Sequence, residues 1–253
     1  MTALLLAGVG ALALALLPAL LRYLYRAPRT TGERIPADLG LHFREIHLET
    51  KNGKRLFSWY LPPPKPNVRA SAVAILHGWG GCSAHMLPFA ALLQKAGHAV
   101  LLLDARNHGR SDDDKFSSMP RFAEDLEQGL DWLRQQPEVE RIHLLGHSVG
   151  AAACLLLASR REDVASVVSI ASFAHPEALM RRQMAAHHVP YRPVGWLVLK
   201  YIEHLIGYRF DDIAPCNTIR RIRCPVLLVH GEEDEFVPVE DAQTIFAKDR
   251  KST

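Results

Sequence analysis

Short apolar runs alternate with amphipathic stretches along most of the chain. Such runs are typical of strands that are buried on both faces of a parallel sheet. They are SAVAILH (71–77), HAVLLLD (98–104), RIHLLG (141–146), VASVVSIA (164–171) and PVLLVHG (225–231). The stretches between them predict helices at about 84–96, 119–135, 149–160 and 239–249. We therefore expect an α/β fold with a mostly parallel, doubly wound sheet, whose parallel strands end at one edge.

Two other segments depart from this alternation. Residues 41–49 and 55–61 partly alternate apolar and polar positions around an Asn-Gly turn, which predicts an N-terminal antiparallel hairpin. The stretch at about 173–215 has apolar and basic residues at helical spacing, interrupted by Pro190 and Pro193. It is too long for a simple loop, so we expect a small helical cap over the strand edge. A pair of surface helices with no gating role is the alternative.

The N-terminal residues have a composition of their own. Residues 2–21 carry no charge, and as a helix they would span about 30 Å, the thickness of the hydrocarbon core of a bilayer. Several arginines follow this run and no basic residue precedes it. The pattern predicts an uncleaved transmembrane anchor at 1–25, a linker at 26–40 and a cytoplasmic domain at 41–253. A secreted precursor is the alternative.

The composition argues against several classes of function. The chain of 253 residues has 30 Lys and Arg against 27 Asp and Glu, and its basic residues are scattered, so we expect no nucleic-acid partner. The 4 cysteines form no C-x-x-C pair, and none of the 13 histidines lies in a metal-binding motif. We therefore expect neither a metal nor another cofactor.

The sequence Gly146-His147-Ser148-Val149-Gly150 joins an apolar strand to an alanine-rich helix. A serine in such a G-x-S-x-G pattern sits on a sharp turn, where the glycines remove side chains that would collide. The turn also points a helix N-terminus at the hydroxyl, which stabilises developing negative charge. Ser148 is therefore a candidate nucleophile. An N-capping serine is the simpler alternative, but it does not explain both glycines.

A glycine-rich loop, His77–Gly81, follows the predicted strand at 71–77. A loop of this kind can direct a backbone N–H at an oxyanion, and the residue after the nucleophile supplies a second donor. We therefore expect the N–H groups of Trp79 and Val149 to form an oxyanion hole. Taken alone, the loop is explained equally well as a plain strand-to-helix turn.

Two charged loops follow other predicted strands. Asp234 comes just after the strand at 225–231, and a carboxylate there can orient a catalytic histidine. Its glutamate neighbours compete for this role, and a solvated acidic loop is the alternative. The loop Asp104–Asp112 is glycine-containing and charged, and we interpret it as structural. His108 within it is expected to buttress the site rather than to act as its base.

The four motifs occur in a characteristic order. They are H-G-x-G-G (77–81), D-x-R-x-H-G-x-S (104–111), G-H-S-x-G (146–150) and H-G-x-x-D-x-x-V-P (230–238). Over residues 41–249 the chain resembles the α/β-hydrolase superfamily, and more narrowly bacterial membrane-anchored serine hydrolases of the esterase and lysophospholipase-like kind. The resemblance implies an α/β-hydrolase fold, with Ser148 as nucleophile, Asp234 as triad acid, and Trp79 with Val149 as the oxyanion hole.

The resemblance also implies a histidine after the acid, and the sequence has none beyond His230. The superfamily's last strand, histidine loop and closing helix are missing too, so we expect a fragment or a frameshifted product of a longer enzyme. His175 is an alternative base, because it follows the strand at 164–171, and His187 and His188 in the cap are others. A catalytically inactive binding protein is the third alternative.

The sequence therefore predicts a serine hydrolase that acts on carboxylic esters through an acyl-enzyme and is impaired without its histidine. The expected substrate is a small-molecule or lipid-derived ester, because the predicted cap is apolar and the predicted anchor reaches a membrane. Peptidase, thioesterase and amidase activities are alternatives within the same fold. A membrane-tethered binding or scaffold protein without activity is the alternative from another class.

Overall fold

A computed structural model describes residues 26–65 and 69–251 of the protein. The predicted transmembrane anchor at 1–25 lies outside these residues. Among the described residues, no helix combines the length and the apolar character needed to cross a membrane. The described part begins with the predicted linker and includes all five of the predicted parallel strands.

Strands and helices alternate along the described chain. The strands are β1 (Arg44–Glu49), β2 (Arg55–Leu61), β3 (Ala70–Leu76), β4 (Ala99–Leu103), β5 (Val139–His147), β6 (Val164–Ile170) and β7 (Val226–Val229). The α-helices are α1 (Leu87–Lys95), α2 (Met119–Arg134), α3 (Val149–Ala158), α4 (Pro176–Ala186), α5 (Trp196–Ile206), α6 (Phe210–Ile213), α7 (Pro215–Thr218) and α8 (Val239–Lys248). Short 3₁₀ turns lie at Pro36–Leu39, Ser83–Met86 and Ile219–Arg221, and a π-type turn lies at Tyr191–Gly195.

The strands form one sheet in the order β1-β2-β4-β3-β5-β6-β7. β1 and β2 are an antiparallel hairpin, and β2 also pairs antiparallel with β4. All the other neighbours are parallel. The predicted doubly wound, mostly parallel sheet with an N-terminal hairpin is therefore confirmed, and the carboxyl ends of β3 to β7 meet along one edge.

Side chains of the central strands alternate between two apolar layers, as the pleat of a strand requires. Ala72, Ala74 and Leu76 of β3 face the larger layer, which includes residues of α2, α3 and α8. Val73 and Ile75 face the other layer, which α1 covers. Burial on both faces explains why these strands read as continuous apolar runs rather than as alternating ones.

The segment between β6 and β7 contains four helices, α4 to α7. Met184 and Leu199 of this segment are buried and join the main core. Val194, Trp196 and Leu197 are exposed apolar residues. The segment is therefore attached to the core on one side and presents an apolar surface on the other.

Candidate active site

Ser148 lies at the turn between β5 and α3, in a backbone conformation that is rare for a residue with a side chain. Its φ is 54° and its ψ is −119°. Its N–H donates a hydrogen bond to the carbonyl oxygen of Ile170, at 2.8 Å, which fixes the turn against β6. A non-glycine residue in such a region costs on the order of 1–3 kcal/mol and persists only where its surroundings impose it. The side chain is half-buried, so the hydroxyl is held at the carboxyl edge of the sheet.

The two glycines of the motif are required because a side chain at either position would clash with neighbouring backbone. Neither glycine has a positive φ. A Cβ atom on Gly146 would lie 2.4 Å from the carbonyl oxygen of Gly150. A Cβ atom on Gly150 would lie 2.4 Å from the carbonyl oxygen of His77. Both clashes are with backbone, which cannot rotate away as a side chain can. The start of α3 therefore packs directly on the end of β3, and this close approach brings the His77–Gly81 loop to the serine.

The turn Gly78–Gly81 abuts the nucleophile. A Cβ atom on Gly78 would lie 3.3 Å from the Cβ of Ser148. The N–H of Gly81 donates to the carbonyl of Gly78 at 3.0 Å, and Gly80 has a φ of 71°. This is the pattern of a type II turn, in which the third residue needs a positive φ.

Two backbone N–H groups near Ser148 remain available for a ligand. Within residues 26–65 and 69–251, the N–H of Trp79 donates to no protein acceptor. Val149 is the first residue of α3, and a helix offers its first N–H groups no partner four residues earlier. Both donors are on segments that contact Ser148, as an oxyanion hole requires.

The side chain of Trp79 rests on an aromatic cluster. Its ring stacks on that of Phe122, with centroids 6.4 Å apart and planes at 12°. The ring of His108 meets Trp79 edge-on at 5.7 Å and Phe122 at 5.0 Å. Burial lowers the pKa of the His108 imidazole to about 4, so this side chain is neutral near pH 7. His108 is fully buried, consistent with our interpretation of it as a buttress.

His77 fixes the start of the oxyanion loop. Its Nε2 accepts a hydrogen bond from the N–H of Ala105 at 3.1 Å, so the ring proton is on Nδ1. Nδ1 then donates to the carbonyl of Gly78 at 2.7 Å. Burial lowers the pKa of His77 to about 4, which preserves this neutral tautomer.

Asp104 joins the two loops from inside the protein. Its Oδ1 accepts the N–H of Ser83 at 2.6 Å, and its Oδ2 accepts the N–H of Arg110 at 2.8 Å. Burial raises the pKa of this carboxyl, although both hydrogen bonds act in the opposite direction. Asp104 was not among the predicted site residues. Its position directly after a buried strand was the available signal.

Asp234 lies after β7, at the same edge of the sheet as Ser148, with β6 between their strands. Its Oδ1 accepts the N–H groups of Phe236 and Val237, at 3.0 and 2.9 Å. The other oxygen, Oδ2, lies 3.9 Å from Nε2 of His230. The loop of Asp234 thus orients its carboxylate through Oδ1, and Oδ2 accepts neither of these two N–H groups.

An electrostatic interaction links the acid to the nucleophile turn. Desolvation lowers the pKa of His147, the residue before Ser148, and the negative charge of Asp234 acts in the opposite direction. Nδ1 of His147 would lie 3.0 Å from a Cβ atom on Gly78, so the imidazole fills the space beside the oxyanion loop. The structure therefore brings Asp234, His147 and the loop of Trp79 to one region.

A catalytic base is not evident in the described part of the chain, where no hydrogen bond joins the Ser148 hydroxyl to a histidine. His175 is the N-cap of α4: its Nδ1 accepts the N–H of Glu177 at 3.2 Å, and its Nε2 lies 3.0 Å from Oδ1 of Asp211. His187 and His188 are exposed in the turn after α4. None of these three side chains is placed against Ser148 by a contact of the described residues.

The sheet order and the sharp turn between β5 and α3 are those of the α/β-hydrolase fold. The sequence model of the family described as alpha/beta hydrolase fold matches residues 71–189. This match covers just under half of the chain and agrees with the α/β-hydrolase fold of the structure.

The chain is similar to proteins of several microorganisms. An uncharacterized protein of Mycobacterium tuberculosis (strain H37Rv) is 28% identical over 206 residues, which are 81% of this chain and 66% of that protein. A thermostable monoacylglycerol lipase of Bacillus sp. (strain H-257) is 23% identical over 69% of this chain and 74% of its own. An esterase of Pyrococcus furiosus has a similar structure, with a TM-score of 0.73 and 24% identity over 90% of this chain and 84% of its own. The chain thus spans about two thirds of the mycobacterial relative's length.

Proposed function

We propose that this protein hydrolyses carboxylic esters through an acyl-enzyme formed on Ser148. The observation that carries the proposal is the conformation of Ser148, at φ 54° and ψ −119°, beside the turn Gly78–Gly81. In this proposal, the Ser148 hydroxyl attacks a carbonyl carbon whose oxygen is bound by two nearby backbone N–H groups, the arrangement that acyl transfer requires. The printed activities of two relatives, an esterase and a monoacylglycerol lipase, support ester hydrolysis as the reaction.

In the proposed reaction, the Oγ of Ser148 attacks the carbonyl carbon of the ester, and its proton passes to a base. The N–H groups of Trp79 and Val149 stabilise the oxyanion of the tetrahedral intermediate. The intermediate collapses to an acyl-enzyme and releases the alcohol, which takes up a proton. Water then attacks the acyl carbonyl carbon and gives up a proton to a base. The second tetrahedral intermediate collapses to the carboxylic acid, and the Oγ of Ser148 takes up a proton again. Asp234 is the proposed partner that orients the base and stabilises its positive charge.

The proton acceptor limits the rate in this proposal. No histidine of the described residues is hydrogen-bonded to Ser148. In this proposal, the described residues therefore leave the Ser148 hydroxyl proton to solvent or buffer. An oxyanion hole without its triad still accelerates the reaction roughly 10³–10⁴-fold over water. We therefore expect slow turnover that depends on Ser148.

The proposed substrate is an ester with an apolar acyl group. Trp79, at the oxyanion loop, is 40% exposed, and the segment between β6 and β7 exposes Val194, Trp196 and Leu197. Exposed apolar surface of this kind favours an alkyl chain over a charged group. With the anchor at 1–25, such a substrate would be presented at a membrane, with the domain in the cytoplasm.

The test is hydrolysis of p-nitrophenyl esters of increasing acyl length by the full chain in detergent, with and without added imidazole. Imidazole supplies a base from solution, so we expect it to raise the rate of the wild-type protein. Imidazole also hydrolyses these esters in solution, so each rate is taken above that of imidazole without protein. Ser148→Ala removes the nucleophile and should abolish both the basal rate and the gain above that background. Ser159→Ala, at the other end of α3, is the matched control and should behave as the wild type.

A fluorophosphonate probe gives a second readout that requires no turnover. Labelling that maps to Ser148 and disappears in Ser148→Ala supports the proposal. Equal hydrolysis by the wild type and Ser148→Ala, with no labelling of Ser148, would instead favour the binding-protein alternative.

A further inference from the structure

Residues 28–32 form an irregular segment, here called the N-terminal strap, that contacts two loops of the candidate site. The segment belongs to the predicted linker at 26–40. The sequence pattern of a linker does not predict a contact with the catalytic region. Ala27, immediately before it, is buried. The contacts of the strap are with the loop at 78–84 and the loop at 104–113, about 50 to 80 residues further along the chain.

The strap contacts the oxyanion turn at Gly80. The hydroxyl of Thr30 donates a hydrogen bond to the carbonyl oxygen of Gly80 at 2.7 Å. A Cβ atom on Gly80 would lie 2.7 Å from Cγ of Pro28, so Pro28 occupies the space over this glycine. Gly80 follows Trp79 directly, and its φ of 71° sets the plane of the peptide at the turn. Thr30 and Pro28 thus constrain the residue next to a proposed oxyanion donor.

Arg29 anchors the same strap to the second loop. Its Nη1 donates to the carbonyl oxygens of Gly109 and Ser111, each at 2.9 Å. Its Nη2 pairs with Oδ1 of Asp113 at 2.6 Å, but the Asp113 side chain is 72% exposed, so this ion pair is weak. The two carbonyl contacts are the specific ones, because one nitrogen, Nη1, binds the backbone of the second loop at two positions.

The two loops are therefore clamped from both sides. Inside, the carboxylate of Asp104 accepts the N–H groups of Ser83 and Arg110, one from each loop. Outside, the strap contacts the first loop through Thr30 and the second through Arg29. A clamp on both sides limits the rotations that would turn the Gly78–Gly81 backbone away from Ser148.

We propose that the N-terminal strap is a positioning element of the oxyanion hole, in which Thr30 and Arg29 hold the Gly78–Gly81 turn so that the N–H of Trp79 faces Ser148. The effect of the strap on catalysis rests on the proposed function, whereas its effect on the Gly78–Gly81 turn does not.

The first test measures the turn itself, by hydrogen–deuterium exchange of peptides covering 78–83 in the full chain. Thr30→Val keeps the shape and removes the hydroxyl, and Thr30→Ser restores a donor. We expect faster exchange at 78–83 in Thr30→Val and in Arg29→Gln, with no change in peptides of α2, and wild-type exchange in Thr30→Ser. Asp113→Asn removes only the exposed ion pair and is the matched control. Unchanged exchange at 78–83 in both strap variants would overturn the proposal, as would an equal increase throughout the protein.

The second test separates positioning from folding through ester kinetics. A displaced oxyanion donor weakens transition-state binding, so kcat should fall about tenfold in Thr30→Val while KM stays near the wild-type value. A change in KM alone, or faster exchange with unchanged kcat, would contradict the catalytic role. If Ser148→Ala hydrolyses as fast as the wild type, the proposed function fails, and the exchange experiment still decides whether the strap holds the turn.

Discussion

Gly150 packs against His77 so closely that a Cβ atom on the glycine would lie 2.4 Å from the histidine carbonyl oxygen. This contact joins the first turn of α3 to the end of β3, and so places the nucleophile next to the oxyanion loop. The obstacle is backbone on both sides, and neither Gly146 nor Gly150 has a positive φ. The elbow therefore depends on the absence of two side chains.

Gly150→Ala is expected to displace the elbow. The added methyl group forces a backbone shift, and overpacking of this kind costs about 1–3 kcal/mol in the free energy of unfolding. Urea unfolding followed by circular dichroism measures this loss, and fluorophosphonate labelling measures the displacement of Ser148. Gly231→Ala is the control, because a Cβ atom there meets no atom within 4 Å and the residue has no positive φ. Equal stability of the two variants would show that the turn can relax.

Arg106 is expected to be a major contributor to stability. Its Nε and backbone N–H both bind the carboxylate of Asp125, at 2.6 and 2.8 Å, and its Nη2 binds Glu124 at 2.8 Å. The side chains of Arg106 and Asp125 are 4% and 1% exposed, so Arg106→Met leaves a buried carboxylate without its partner. Such a loss costs about 3–5 kcal/mol.

Urea unfolding measures the effect of Arg106→Met, and two further variants make the result specific. Arg223→Met breaks an ion pair with Glu162 whose side chains are 78% and 74% exposed, and it should change stability by less than about 1 kcal/mol. The double variant Arg106→Met with Asp125→Leu removes both charges and should recover part of the loss. No recovery would mean that Arg106 acts through packing rather than through charge.

The pair His77 and His108 is expected to weaken the fold in acid. Burial lowers the pKa of both imidazoles from 6.5 to about 4, so the unfolded chain binds more protons than the native protein between these values. Stability is therefore complete above pH 6.5 and falls as the pH drops toward 4, by about 2 kcal/mol per histidine at about pH 5.

His108→Asn tests this dependence without removing the hydrogen bond. The asparagine amide can donate to the carbonyl of Arg106 as Nδ1 of His108 does at 2.9 Å, but it does not titrate. The loss of unfolding free energy between about pH 7.5 and about pH 5 should be smaller in the variant by about 2 kcal/mol, whatever its stability at the higher pH. The same pH dependence in both proteins would show that His108 is protonated without cost.

The sequence predicts the framework of this protein well because the framework depends on local patterns. The apolar runs mark the central strands, since β3 and β4 are buried on both faces. The G-x-S-x-G motif locates the elbow because its glycines answer a local steric need. The helix expected at 84–96 begins instead as a 3₁₀ turn at Ser83–Met86 before α1, a difference at the boundary where such patterns are weakest.

The remaining features depend on contacts between distant parts of the chain. Arg29 and Thr30 bind backbone carbonyl oxygens of the loops at 109–111 and 80, and such contacts leave no periodicity in the sequence. The sequence places Asp104 in a structural loop, but it does not show that the buried carboxylate accepts two N–H groups from different loops. The role of Asp234 and the identity of the base remain predictions, because they depend on the relative positions of side chains rather than on the fold.

Asp234→Asn is expected to change the electrostatics of the candidate site without unfolding its loop. The asparagine oxygen can accept the N–H groups of Phe236 and Val237 as Oδ1 does, so the turn should be retained. The variant loses the negative charge that raises the pKa of His147 against the effect of desolvation. We therefore expect the pKa of His147 to fall further below its usual value, as measured by NMR titration of its imidazole. Glu235→Gln removes a charge one residue away and is the matched control. If both variants leave the His147 titration unchanged, Asp234 does not act on the nucleophile turn, and its proposed role as triad acid loses its support.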